Sequence, residues 1–134
     1  MKTFIQFFKE GKDIDTDNTS KVIIFYNGKI LFLQNSWKEW ELPGGHCHEK
    51  ENYTKGAIRE VFEETGIRLK APEKFRLIDK CMLFVSQVKR SNVRLSHEHI
   101  DFKWVKPVKL GTYKLSKRTK DYIPAILDII KAIK

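Results

Sequence analysis

Residues 45–67 read GHCHEKENYTKGAIREVFEETGI. The stretch from Tyr53 to Thr65 has the periodicity of an amphipathic helix, and Gly66 supplies its stop. With Arg59 at zero and about 100° per residue, Glu63 falls near 40°, Glu60 near 100° and Glu64 near 140°, so three carboxylates share one arc. Gly56 lies within that arc at about 60°. Ile58, Val61 and Phe62 fall between about 200° and 300°, a greasy side suited to burial against a sheet. One face of the helix is expected to pack and the other to carry chemistry.

Carboxylates crowded on one arc repel, and an i,i+4 pair of glutamates destabilises an isolated helix by roughly 0.2–0.5 kcal/mol. Something must offset this. Arg59 can neutralise one carboxylate, but a hard divalent cation neutralises several at once and also binds phosphate oxygens. Magnesium is the natural candidate, with manganese as its stand-in. The triplet His46-Cys47-His48 does not read as a zinc site, because adjacent residues rarely converge on one metal and no further ligand pair lies nearby. The reading is a loop rim that faces substrate or solvent, from which His46 or His48 can touch phosphate.

Working outward, Phe4 to Phe8 is expected to form a first strand and Gly11 to Ser20 a polar loop. The runs Val22 to Tyr26 and Lys29 to Leu33 flank Asn27-Gly28, the preferred pair for a two-residue hairpin turn. Trp40 to Leu42 is a short strand that delivers Pro43-Gly44-Gly45, where missing side chains let backbone groups approach an ion or a phosphate. Beyond the helix, Phe75 to Val88 suits one or two strands and His99 to Val105 another. Ile123, Ile126, Leu127 and Ile130 recur at helical spacing, with Asp121 as cap and Pro124 inside the first turn. These elements give an α/β protein with a mixed β-sheet between helices.

A chain of 134 residues, 41% hydrophobic and 12% aromatic, is read as one globular domain over 1–134. No apolar run approaches the roughly 20 residues of a membrane span, so no membrane partner is expected. The N-terminal residues show no secretory pattern, and Cys47 and Cys81 are too few for a disulfide framework. Cytoplasm and reduced thiols are the expectation. The net charge of +9 suits an anionic partner, with Lys106, Lys109, Lys114, Lys117, Arg118 and Lys120 crowding one segment that could grip phosphates or RNA. Exposed strand edges leave a homodimer open.

The spacing Gly45, Glu51, Arg59-Glu60, Glu63-Glu64, Gly66 is that of the Nudix box, and the chain resembles the Nudix hydrolase (MutT-like) family. Trp40-Glu41-Leu42-Pro43-Gly44 before the box, and Glu98-His99 with Phe102-Lys103-Trp104-Val105 after it, extend the resemblance over most of the chain. It implies the Nudix α/β/α sandwich and metal-dependent hydrolysis of a diphosphate linkage in a nucleoside diphosphate derivative. The resemblance also implies Mg²⁺ (or Mn²⁺) held by Glu60 and Glu64 with help from Glu63 and the Gly44 carbonyl, and Arg59 orienting Glu60 or Glu51. Either a box glutamate such as Glu63 or the later Glu98 serves as general base. Gly45, His46 and Phe84 are the expected substrate contacts, although Phe84, like Trp40, alternates within a strand and reads equally as core.

Among family activities, the compact chain looks most like a (d)NTP pyrophosphohydrolase of the housecleaning type. An RNA 5′-pyrophosphohydrolase is the alternative that the basic segment favours. Dinucleoside polyphosphate and ADP-ribose hydrolases lose ground, because Met82, Leu83, Phe84 and Val85 stand where their markers would lie. A noncatalytic nucleotide-sensing module is the remote alternative, since such modules usually carry degenerate boxes and this one is intact.

Overall fold

The computed structural model describes residues 15–133, and β1 (Asp15–Tyr26) lies inside a seven-stranded mixed sheet. β1 pairs antiparallel with β2 (Lys29–Gln34) and β4 (Gly44–His48), and parallel with β6 (Cys81–Gln87). β5 (Glu73–Ile78) lies against β6, and β2 pairs with β3 (Trp40–Glu41) and β7 (Asp101–Val105), all antiparallel. The β1–β2 turn carries φ of 49° at Asn27 and 76° at Gly28, the positive pair that the Asn-Gly sequence favours.

The expected strand at Phe4 to Phe8 lies outside the described residues, as do Gly11 to Ile14 of the expected loop. The rest of that loop, Asp15 to Ser20, is strand. Its polar composition hides the pairing, because its partners are distant: Thr19 lies opposite His46 on one side and Cys81 on the other, and Ser20 is fully buried. A register shift between Asp15 and Thr19 accommodates the irregular start.

Helix α1 (Tyr53–Thr65) has the bounds expected from the sequence. Asn52 caps it by accepting from the Lys55 amide at 2.8 Å, and Gly66, at φ 76°, returns its amide to the Phe62 carbonyl at 2.9 Å. Ala57 and Val61 pack into a core with Val22, Ile24, Leu31, Leu33 and Phe84. The buried face is rotated from the expected stripe. Glu64 and Thr65 are buried, whereas Ile58 and Phe62 are only half-buried and Phe62 takes the Arg68 guanidinium 4.3 Å above its ring.

The other sheet face is covered by a 3₁₀ turn (Pro107–Thr112), the short α2 (Lys117–Asp121) and α3 (Ile123–Ala132). Ala125, Ile126 and Ile129 bury against Ile23, Phe25 and Phe32. Leu127, expected in this stripe, is 45% exposed. Asp121 does not cap α3: it ends α2, and Tyr122 occupies the cap position without a side-chain bond. Pro124 sits in the first turn as expected. Helices on both faces of a mixed sheet make the expected α/β/α sandwich. Among the described residues no helix is long and apolar enough to cross a membrane.

Candidate active site

The site is built where β4 meets α1, and two glycines permit the approach. At Gly44, φ is 129°, and an added Cβ would collide with the Ser20 carbonyl and stand 2.8 Å from Lys21 Cα. At Gly45 a Cβ would collide with the Glu60 carboxylate. The Pro43-Gly44-Gly45 turn therefore brings bare backbone against the acidic arc of α1.

Arg59 organises that arc. Its Nε and Nη2 donate to the two Glu51 oxygens at 2.7 and 3.0 Å, its Nη1 donates to Glu60 at 2.9 Å and Glu63 at 3.0 Å, and Nη2 also donates to the His46 carbonyl at 2.9 Å. A planar fork with five donors suits this load, which a lysine could not carry. Burial works against the Arg59 charge, but the hydrogen bonds to Glu51 and Glu60 outweigh it and hold its pKa above the ordinary value. Burial alone would raise the Glu51 pKa, yet the bonds from Arg59 and from the His48 amide at 2.8 Å bring it below normal.

Glu64 stands apart from this fork. It is 5% exposed, and its Oε1 accepts from the Gly44 amide at 2.8 Å. Burial pushes its pKa to about 7, against the opposing pull of the Lys21 charge and the Gly44 amide. Burial also raises the Glu60 pKa, and the nearby charges of Glu63 and Glu98 add to the rise against the pull of Arg59.

Sequence reasoning missed Lys21. Half-buried in β1, it donates from Nζ to the Leu42 and Gly44 carbonyls, each at 3.0 Å. The Gly44 carbonyl expected to face a metal thus already receives a cation. No spacing rule marks a lysine in a strand as a partner of a turn twenty residues on.

The segment after β6 delivers Glu98. The amides of Arg94 and Ser96 donate to the Thr65 and Glu64 carbonyls at 2.8 and 3.3 Å, fastening this loop to the end of α1. Glu98 itself is exposed, near enough to Glu60 for their charges to interact. Its neighbour His99 is 7% exposed and joins Glu41 through an Nε2 to Oε2 contact of 2.8 Å, while its Nδ1 is buried without a partner. Burial would raise the Glu41 pKa, but the bond with His99 and the charge of Lys21 bring it below normal.

His46 is exposed; its Nδ1 meets the Thr16 carbonyl at 2.9 Å, and it lines a cleft of about 390 Å³ with Asp17, Lys80, Arg118, Asp121 and Tyr122. Phe84 does not reach this cleft or the acidic arc. It is 0% exposed beneath α1, so the substrate contact expected of it is corrected to a packing role, and no ring face is open to a base. Trp40 is likewise core, edge-on to Tyr113 at 5.7 Å.

Glu60 and Glu63 come together on Arg59, Glu64 sits under the glycine turn, and the charge of Glu98 is felt at Glu60. Among the described residues no three His, Cys, Asp or Glu side chains converge on one point ready for a metal. The oxygen donors on this face are nonetheless of the type a hard cation uses.

Comparison with known proteins places this architecture. A Lactococcus lactis subsp. cremoris protein named "Probable DHNTP pyrophosphohydrolase" is 33% identical over 92 residues, covering 68% of this chain and 54% of that protein. A "MutT-like protein" of Streptomyces ambofaciens is 40% identical over 53 residues, 39% of this chain and 34% of the relative. The chain therefore spans about half or less of these curated relatives. The crystal structure of a MutT protein from Methanosarcina mazei Go1 superposes with a TM-score of 0.64 at 29% identity, over 82% of this chain and 94% of that one. A MutT NUDIX hydrolase from Burkholderia pseudomallei gives 0.71 at 20% identity, over 79% and 94%, a likeness of fold. The NUDIX domain family model matches residues 18–126, which include β4, α1, the Glu98 loop and most of the sheet, and the chain belongs to that family.

Proposed function

We propose that this chain hydrolyses a diphosphate linkage in a nucleoside diphosphate derivative, with a nucleoside triphosphate as the leading substrate and pyrophosphate as the leaving product. The observation that carries this reading is the acidic face of α1, with Glu60 and Glu63 gathered on Arg59 and the buried Glu64 hydrogen-bonded to the glycine turn. Carboxylates so placed have no packing function that a neutral side chain would not serve better.

The donor set fits Mg²⁺, with Mn²⁺ as substitute, held by Glu60, Glu63 and Glu64. Bound there, the ion would supply charge to phosphate oxygens and acidity to water. The chain's own residues do the rest. Arg59 keeps Glu60 and Glu51 in fixed orientation, and Glu98, exposed on its loop and within electrostatic reach of Glu60, is the base that accepts the proton of the attacking water. Gly45 and the His46 backbone, whose carbonyl Arg59 holds, border the phosphates. With both described cysteines free and buried, a reducing cytoplasm suits the protein.

A second reading has its own observation. Lys106, Lys109, Lys114, Lys117, Arg118 and Lys120 are all exposed along one segment, as a grip on an RNA 5′ end requires. The deciding experiment is a Mg²⁺-dependent hydrolysis panel of normal and oxidised nucleoside triphosphates, dinucleoside polyphosphates, ADP-ribose and 5′-triphosphate RNA, with Glu63→Gln and Glu64→Gln as controls. Turnover of triphosphates with pyrophosphate release, lost in both variants, supports the leading reading. Preference for RNA with a steep fall in rising salt replaces it with the second, and a folded, metal-binding protein silent on every substrate defeats both.

A further inference from the structure

The three carbonyls of the Leu42-Pro43-Gly44 turn are all taken by two consecutive residues of β1. The Val22 amide donates to Pro43 at 2.9 Å, and the Lys21 ammonium donates to Leu42 and Gly44 at 3.0 Å each. An amide suffices for a neutral carbonyl, so a charge at this spot calls for a reason. Lys21 shares its face of β1 with Ile23 and Phe25, which pack on the α3 side of the sheet, yet its charge is felt by Glu41 and Glu64. The Gly44 residue is thus shared: its amide points to the Glu64 carboxylate and its carbonyl to the Lys21 ammonium.

We propose that Lys21 is a resident cation of this site, occupying with its ammonium the Gly44 carbonyl that a divalent ion would otherwise use. The proposal rests on the reading that the α1 carboxylates hold such an ion. The consequence is specific to this chain: the divalent cation is bound by the helix carboxylates without the Gly44 oxygen, and against the repulsion of a fixed positive charge close by. The ammonium cannot leave with product or be stripped by a chelator. It gives the buried end of the acidic face a permanent counter-charge in exchange for weaker divalent binding.

The test is Mn²⁺ binding by the metal-stripped protein without nucleotide, followed by the electron paramagnetic resonance signal of free Mn²⁺, for wild type, Lys21→Met and Lys21→Arg. Removing one unit charge beside a divalent ion should tighten Mn²⁺ binding by about fivefold or more in Lys21→Met, while Lys21→Arg stays within about twofold of wild type. Should Lys21→Met fail to fold, Lys21→Gln removes the charge but keeps an amide donor for the turn, and melting curves without metal confirm the fold of whichever variant is used. Unchanged or weaker Mn²⁺ binding in the neutral variant, or no binding by either protein, overturns the proposal. Because no nucleotide is present, failure of the hydrolase reading would appear in the substrate panel and leave this comparison intact.

Discussion

Gly44 and Glu64 are joined by a 2.8 Å hydrogen bond from the backbone amide of the turn to the carboxylate Oε1 of the helix. That bond ties β4 to α1 at the one acidic side chain of the arc that the fold buries. A carboxylate in that position is stable as an acid and costly as an anion, which makes its protonation readable in the folding equilibrium.

The first prediction concerns pH. Glu64 has a folded pKa of about 7, above the 4.5 of an unperturbed glutamate, so the folded state binds its proton more tightly than the unfolded state does. Its stabilising contribution is therefore full below pH 4.5 and is lost as pH rises through 7. Glu51 and Glu41, with lowered values, run the other way, so the effect is isolated by difference. Chemical denaturation without metal should show wild type gaining stability relative to Glu64→Gln as pH falls from about 7 to 5, with a slope approaching about 1.4 kcal/mol per pH unit at most. Parallel stability curves for the two proteins would refute the buried-acid assignment.

Arg59→Lys keeps the charge and loses the fork. Glu51, Glu60 and Glu63 cannot all be held by one ammonium, and residues that orient functional carboxylates typically matter by about 10–100-fold. We expect kcat for the substrate identified by the panel to fall by that order with KM little changed. A loss confined to KM would instead mean that Arg59 binds substrate directly.

Gly45→Ala places a methyl on the Glu60 carboxylate, which must turn away. The flexible end of a glutamate can yield cheaply, so the melting temperature should stay within a few degrees, as for a change of under about 1 kcal/mol. Activity should drop by about tenfold or more as Glu60 leaves its place. Full activity in a folded Gly45→Ala protein would exclude Glu60 from the working geometry.

Phe84 separates packing from recognition. Phe84→Ala should cost about 3–5 kcal/mol of stability, the usual penalty for emptying a buried aromatic site. Phe84→Leu should retain the wild-type KM for every substrate that is turned over. A selective rise in KM with stability unchanged would restore the stacking role that its burial denies.

The parts of this structure that the sequence disclosed are local ones. Helix α1 is bracketed by its own cap and stop, Asn52 and Gly66, and the β1–β2 turn is fixed by two adjacent residues, so both could be drawn in advance. Asp15 to Ser20 looked like loop because its strand character comes from β4 and β6, which lie far along the chain. The contacts of Lys21 and the pairing of Glu41 with His99 were hidden for the same reason: each residue is ordinary in its own neighbourhood, and its partners are set by the topology. The carboxylate arc was legible from periodicity, whereas the burial of Glu64 was not, since the packed stripe of α1 runs through Gly56, Ala57, Val61, Glu64 and Thr65 rather than through the apolar Ile58 and Phe62.

The loop that carries Glu98 is fastened by its Arg94 and Ser96 amides to the last carbonyls of α1, those of Thr65 and Glu64. Loop and helix end therefore form one mechanical unit. A displacement of the loop backbone at Ser96, two residues before Glu98, would pull on the Glu64 carbonyl, so the loop that carries Glu98 and the buried end of the acidic face share a common anchor at the last turn of α1.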